Sequence, residues 1–130
     1  MIDDGIRYHN EFSKTRVLQG YDFAGDCLRP KCGTPLPPDG VPEPGDSMNH
    51  GMACAGILAA SHNGMGIAGV FGSCQIIPVK IADNYGNYAD TIPIADAIRW
   101  AWQHGARVIS NSWGYDVQIP YVMVANAIRD

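Results

Sequence analysis

Residues 75–113 read QIIPVKIADNYGNYADTIPIADAIRWAWQHGARVISNSW, and this run decides the fold. Gln75 to Ile81 is apolar and rich in β-branched residues, the composition of a buried strand, with Pro78 restricted to a position where no ladder donor is needed. The segment DNYGNY that follows is a turn or short edge segment. Thr91 to His104 then places Ile94, Ile98 and Trp102 on one stripe of an amphipathic helix. Thr91 is its expected cap, Pro93 lies in its first turn and Gly105 ends it. Val108-Ile109-Ser110-Asn111 is the next strand. Strand, helix, strand implies a right-handed crossover and a parallel sheet. Ligands in such sheets bind beyond the carboxyl ends of the strands, which is where Ser112, Trp113 and Gly114 fall.

Working outward, the same alternation extends in both directions. His50 to Ala60 reads as a helix of small residues, with Asn49 or Ser47 as N-cap. Gly51 and Gly56 each cost a helix up to ~1 kcal/mol relative to Ala. Their use is close approach of neighbouring backbone, so this helix is expected to be mostly buried, with Gly51, Ala55, Gly56 and Ala59 in contact. SHNGMG is a loop, and Pro120 to Asp130 starts a further helix. Met1-Ile2 is the end of an apolar strand closing at Asp3-Asp4-Gly5. From there to about Asp46 the sequence predicts an exposed, turn-rich segment. Six of the nine prolines lie between Pro30 and Pro44, which excludes helix and central strand. The expected organisation is one domain over 1–130 with a Pro/Gly-rich surface insertion at about 27–46.

The composition is globular: 130 residues, 46% hydrophobic and 17% charged, with a net charge of −4. A chain of this size can bury a core without disulfide staples. There is no basic block or stripe, which argues against a nucleic-acid partner. The longest mostly apolar stretch, MACAGILAA, is too short to span a bilayer, so no membrane partner is expected. No Gly-rich nucleotide fingerprint follows a strand. No charged-then-apolar leader precedes Met1 and Ile2, so any signal or pro-segment is expected to lie outside this sequence. Four cysteines do not show zinc spacing. Cys27 and Cys32 could pair if the protein is exported, while Cys54 and Cys74 read as packed small hydrophobes.

Chemistry gathers at two strand ends and one helix start. An Asp-Gly strand terminus at Asp3 and a His-Gly helix start at His50 can hold a carboxylate against an imidazole, the base half of a nucleophilic triad. The helix N-terminus disfavours the imidazolium and the carboxylate favours it, which leaves His50 titrating near neutrality. His9, His62 and His104 lack this setting and read as structural.

The run NHGMACAGILAASHNGMGIAGV resembles the histidine motif of the subtilisin-like serine proteases, HGTxxAGxxAA followed by N-x-x-G-V-A-G-V. IDDGI resembles the family's aspartate motif D-[TSD]-G. RYHNEF stands where these enzymes often carry His-Pro-Asp/Glu-Leu/Phe, and PVKIAD and VISNSWG resemble the next two strands. The likeness covers nearly the whole chain in order and spacing. It implies a three-layer α/β fold with a parallel sheet, present here as its N-terminal portion. It implies serine endopeptidase activity, a polypeptide substrate and no required cofactor, and it favours secretion or the cell envelope. Asp3 would be the orienting carboxylate and His50 the general base. Ser112, Trp113 and Gly114 match the strand that pairs with substrate and walls the primary pocket, and Gly86, Asn87 and Tyr88 fall at the opposite substrate-pairing strand. Asn63 and Glu11, with carbonyls near Ser61, Met65 and Ile67, match a region where some members bind structural calcium.

The sequence also departs from the pattern. Met52 replaces the Thr usual in the histidine motif, and Asp4 stands where Thr or Ser is common. No G-T-S-x-x-x-P nucleophile motif occurs in the 130 residues, and the oxyanion Asn is absent. The isolated chain is therefore expected to be inactive. The alternative reading is a truncated or decayed, non-catalytic relative that at most binds peptides.

Overall fold

The computed structural model describes residues 1–6, 9–13, 15–24, 49–83, 86–114 and 121–130. The expected insertion at 27–46, Cys27, Cys32, Ser47 and Pro120 lie outside the described residues.

Three short strands, β1 (Ile2–Asp3), β2 (Tyr21–Asp22) and β3 (Val79–Lys80), form a parallel sheet in the order β1-β3-β2. Ile2 pairs with Val79 and Asp3 with Lys80, while Tyr21 and Asp22 meet the same two residues from the other side. On its far edge Ile2 bridges Asn111 in parallel, and its amide donates to the Ser110 carbonyl at 3.0 Å. The strand expected at 108–111 is thus present as a single bridge, and its parallel sense matches the crossover reading. The strand expected at 75–81 narrows to Val79–Lys80 plus a parallel bridge between Val17 and Ile76. Pro78 has no N–H, so the ladder breaks at that residue.

Two apolar clusters sit on the two faces of the sheet. Ile2, Val79 and Ile81 pack against Ile94, Ala95, Ile98 and Ala101 of α2 (Thr91–Gln103) and Val124 and Ala127 of α3 (Val122–Arg129). Met1, Ile6, Phe12, Val17 and Ile76 pack against Ala55 and Ala59 of α1 (His50–Ala59). Alternation along β1 explains the division, because successive side chains of a strand point to opposite faces. Helix, sheet and helix give three layers, an incomplete α/β arrangement of the expected kind.

Several local expectations are corrected. The segment after Gly5 is not exposed throughout: Ile6, Phe12 and Val17 are buried, and Tyr21–Asp22 adds a strand. Its short turns hid these apolar anchors. Asp90, not Thr91, takes the cap position of α2. Trp102 leaves the Ile94/Ile98 stripe and is 62% exposed, because Ala101 occupies the inward position of that turn. Gly105 does end α2: at φ +91° its N–H bonds the Trp102 carbonyl while Ala106 N–H bonds Ala101, a paired C-terminal closure. On α1, Gly51, Ala55, Gly56 and Ala59 are buried as expected, but Ile57 and Leu58 on the other side are exposed. Among the described residues no helix is long and apolar enough to cross a membrane.

Candidate active site

β1 delivers Asp3 to the carboxyl end of the sheet, and α1 begins directly over it. The His50 Nδ1–H donates to Asp3 Oδ1 at 2.8 Å. Asp3 is 2% exposed on its side chain, whereas the His50 ring is 48% exposed. The carboxylate is therefore held in the protein and the far edge of the imidazole faces solvent. Asp3 Oδ1 also accepts the Asp4 N–H at 2.9 Å, and the buried Oδ2 has no hydrogen-bond partner among the described residues. The hydrogen bond to Asp3 raises the His50 pKa above its ordinary value and the Asp3 charge adds to this; burial opposes the rise, and the Asp4 charge supports it to a lesser degree.

The start of α1 is tied down by a residue remote in sequence. Asn49 holds the cap position but its side chain does not cap. Asp4 does so instead: Oδ2 accepts the His50 N–H at 3.0 Å and Oδ1 accepts the Gly51 N–H at 2.7 Å. Burial raises the Asp4 pKa, opposed by those two hydrogen bonds. Gly51 is required here, since a Cβ would fall on the Gly5 carbonyl oxygen and the Asp4 carboxylate.

Two further groups stand beside the pair. Cys54, one helical turn beyond His50, places Sγ 3.9 Å from Nδ1 and 3.8 Å from Nε2. This corrects the reading of Cys54 as only a packed hydrophobe, and the i, i+4 spacing on a helix was the available signal. Tyr88 has its phenol pKa raised by burial first and then by the carboxylates of Asp3 and Asp4, which places its hydroxyl in their field.

Gly86, Asn87 and Tyr88 form the return arm of a short hairpin. Ala82 bridges Tyr88 in antiparallel sense, Gly86 has φ +82°, and Asp83 accepts both the Asn87 N–H and its Nδ2–H at 2.8 Å. Trp113 donates Nε1–H to the Ile2 carbonyl at 3.0 Å, while Ser112 and Gly114 are exposed beyond the Asn111 bridge. Both segments thus lie next to β1 or β3, near the sheet end that carries Asp3. The remaining histidines are engaged elsewhere: His62 Nε2–H donates to Gly69 O at 2.7 Å, His104 Nδ1–H donates to Trp100 O at 2.8 Å, and His9 Nδ1 accepts the Glu11 N–H at 3.3 Å.

The Glu11 and Asn63 region is distinct from this site. Glu11 reaches into the 61–67 loop so closely that a Cβ on Gly66 would collide with its carboxylate. Oε1 accepts the Ile67 N–H at 3.4 Å, and Oε2 is buried without a hydrogen-bond partner among the described residues. Asn63 Oδ1 accepts the Met65 N–H at 3.0 Å. Arg16 fastens the region, donating to the Glu11, Ala59 and Cys74 carbonyls and to Ser61 Oγ. Glu11 Oε2 is thus an orphaned carboxylate oxygen reaching toward the loop that carries Asn63, and oxygen donors of this kind suit a hard cation such as calcium.

The Subtilase family profile matches residues 1–128. This chain is a subtilase. It is 36% identical over 117 residues to the thermophilic serine proteinase of Bacillus sp. strain AK1, covering 89% of this chain and 25% of that protein. It is 34% identical over 115 residues to the calcium-dependent protease of Trichormus variabilis, covering 88% and 15%. It is 35% identical over 120 residues to the extracellular serine protease of Serratia marcescens, covering 88% and 9%. The subtilase chain therefore spans at most a quarter of the length of these three relatives. Asp4 is the site residue that sequence reasoning passed over, because cap signals are sought next to a helix and not across the fold.

Proposed function

We propose that this chain carries the base half of a serine endopeptidase, with the nucleophile supplied by sequence outside these 130 residues. The observation that carries the reading is the contact of a buried Asp3 with Nδ1 of a half-exposed His50 at the carboxyl end of a parallel sheet. Membership in the subtilases and the names of the relatives support it.

In this reading Asp3 fixes the tautomer that leaves Nε2 unprotonated and facing solvent. His50 Nε2 takes the proton of a serine hydroxyl as its oxygen attacks the scissile carbonyl, and returns that proton to the leaving amine. Water then hydrolyses the acyl-enzyme by the same route. Asp3 stabilises the imidazolium that forms at each proton transfer. The exposed backbone at Ser112–Gly114 and at Gly86–Tyr88 would receive an extended polypeptide by strand pairing. No cofactor takes part in this chemistry. Glu11, Asn63 and the carbonyls of Ser61, Met65 and Ile67 would hold a structural calcium, which would neutralise the buried Glu11 oxygen and brace the loop after α1. Secretion or a cell-envelope location accords with the extracellular relative.

The isolated chain is expected to be inert. Incubation with casein and with a fluorophosphonate probe should give no turnover and no serine labelling. Labelling that disappears in His50→Ala would show that a serine within these residues acts as nucleophile, and would overturn the division of the triad. The encoding DNA beyond Asp130 supplies the positive test: a longer product should hydrolyse casein and lose that activity in Asp3→Asn and His50→Ala. A second reading is a non-catalytic, peptide-binding relative. That reading requires the longer product to bind unstructured peptide without cleaving it.

A further inference from the structure

We infer that Asp4 is a positioning residue for the proton-transfer pair, a two-pronged cap that docks the start of α1 onto the end of β1 and sets the place and basicity of the His50 ring. The inference rests on the reading of Asp3 and His50 as the base of the site. The first amides of a helix have no intrahelical acceptor and need one from elsewhere. Here both prongs of one carboxylate meet two consecutive amides, His50 N–H at 3.0 Å and Gly51 N–H at 2.7 Å, from a residue 46 positions earlier in the chain.

The geometry leaves little freedom. Asp3 ends β1 and Asp4 follows it directly, and their side chains reach one to the ring of His50 and the other to its backbone. His50 is thus held at two points, Nδ1 by Asp3 and N–H by Asp4. The missing side chain of Gly51 lets the helix approach until the Gly5 carbonyl and the Asp4 carboxylate are in contact with it. Asp4 is 2% exposed, so its contacts are not exchanged for water. The charged or titratable groups around it are Asp3 on β1, His50 on α1 and Tyr88 of the hairpin.

An anion at this place does two things in the same direction. It stabilises a positive charge on the nearby imidazole, and it neutralises the positive end of the α1 dipole, which would otherwise oppose that charge. Thr or Ser at the position offers one acceptor and no charge. A chain with Asp there should hold a more basic and more rigidly placed histidine.

The test uses the 130-residue chain with nitrogen-15-labelled histidine, read by NMR. The wild type should show a downfield, slowly exchanging His50 Nδ1–H and a titration midpoint above the ordinary value. Asp4→Asn keeps the size but loses the charge and one acceptor, and Asp4→Ala loses both prongs. Each should lower the midpoint and broaden or abolish the Nδ1–H signal. Gly105→Ala, which strains the distant end of α2, is the control for general destabilisation and should leave both readouts in place. Asp4 variants that match wild type, or move no further than Gly105→Ala, overturn the inference. Should both Asp4 variants fail to fold, hydrogen exchange in the wild type decides: the His50 and Gly51 amides should be protected, and fast exchange there refutes a cap. A wild-type chain without the Nδ1–H signal overturns the base reading and this inference together. Its presence with unaltered Asp4 variants overturns this inference alone.

Discussion

A histidine bonded to a buried carboxylate keeps its proton above the pH at which a free imidazole loses it, and that difference has to appear in the folding equilibrium. The His50 pKa is raised in the fold from 6.5, chiefly through the hydrogen bond to Asp3. The protonated pair therefore stabilises the folded state fully below about pH 6.5, and this contribution is lost as the pH climbs through the folded value. Comparison with His50→Gln removes the opposite trend of the buried Met1 amine, whose pKa is lowered to about 6, and relative to that variant the urea midpoint of the wild type should fall across that window. Asp4 behaves with the same sign in a lower window. Its pKa is raised from 3.8 by burial, so part of the folding stability is present below that value and is lost as the carboxyl ionises in the fold. In a chain that also holds the serine, Asp3→Asn should reduce kcat by about 10⁴-fold, through the wrong imidazole tautomer, with little change in fold.

Two glycines in α1 make opposite predictions for one element. Alanine at Gly51 drives a methyl group into the Gly5 carbonyl and the Asp4 carboxylate, neither of which can retreat without moving β1. Gly51→Ala should cost about 1–3 kcal/mol by urea denaturation, the range for an overpacked site, and should disturb His50. Alanine at Gly56 meets only the tip of Ile67, Cδ1 at 3.0 Å, on a flexible side chain. The higher helix propensity of Ala then offsets the contact, so Gly56→Ala should lie within about 1 kcal/mol of wild type. The element boundaries show what was legible in the sequence. α1 and α2 were readable from small-residue spacing, from the apolar stripe and from Gly105. The cap position of α1, Asn49, was among those expected, but the carboxylate that does the capping was not, since Asp4 lies just past β1, and the cap of α2 falls at Asp90, one residue before the expected Thr91. β2 escaped notice because two residues carry no period. It is a strand only because Val79 and Lys80 lie beside it.

Across the molecule, the layered α/β plan and the Asp3–His50 pairing were legible because each rests on alternation and on motif order. The 61–67 loop lies against Glu11, and the Arg16 contacts to the oxygens of Glu11, Ala59 and Ser61 that fasten this region are announced by no local pattern. If that loop holds calcium, millimolar calcium should raise the melting temperature of the wild type and leave Glu11→Gln unmoved, since the variant lacks the charged oxygen. The exposed side chains of Trp102 and Ile128 border a groove of about 420 Å³ between α2 and α3, closed at one end by the Arg99–Asp130 pair at 3.1 Å. The placement of β1 has a kinetic meaning as well. Met1, just before it, donates its amine to the Ile77 carbonyl across 76 positions, and the Ile2 carbonyl accepts from the Trp113 ring across 111. Contacts across such separations close long loops, and topologies built on them fold slowly because loop entropy is lost before the contacts form. On the ribosome, Ile2 and Asp3 would wait without their Asn111 and Trp113 neighbours while the 111 positions up to Trp113 are made, so the acid of the pair is synthesised well before the residues that hold its strand in place.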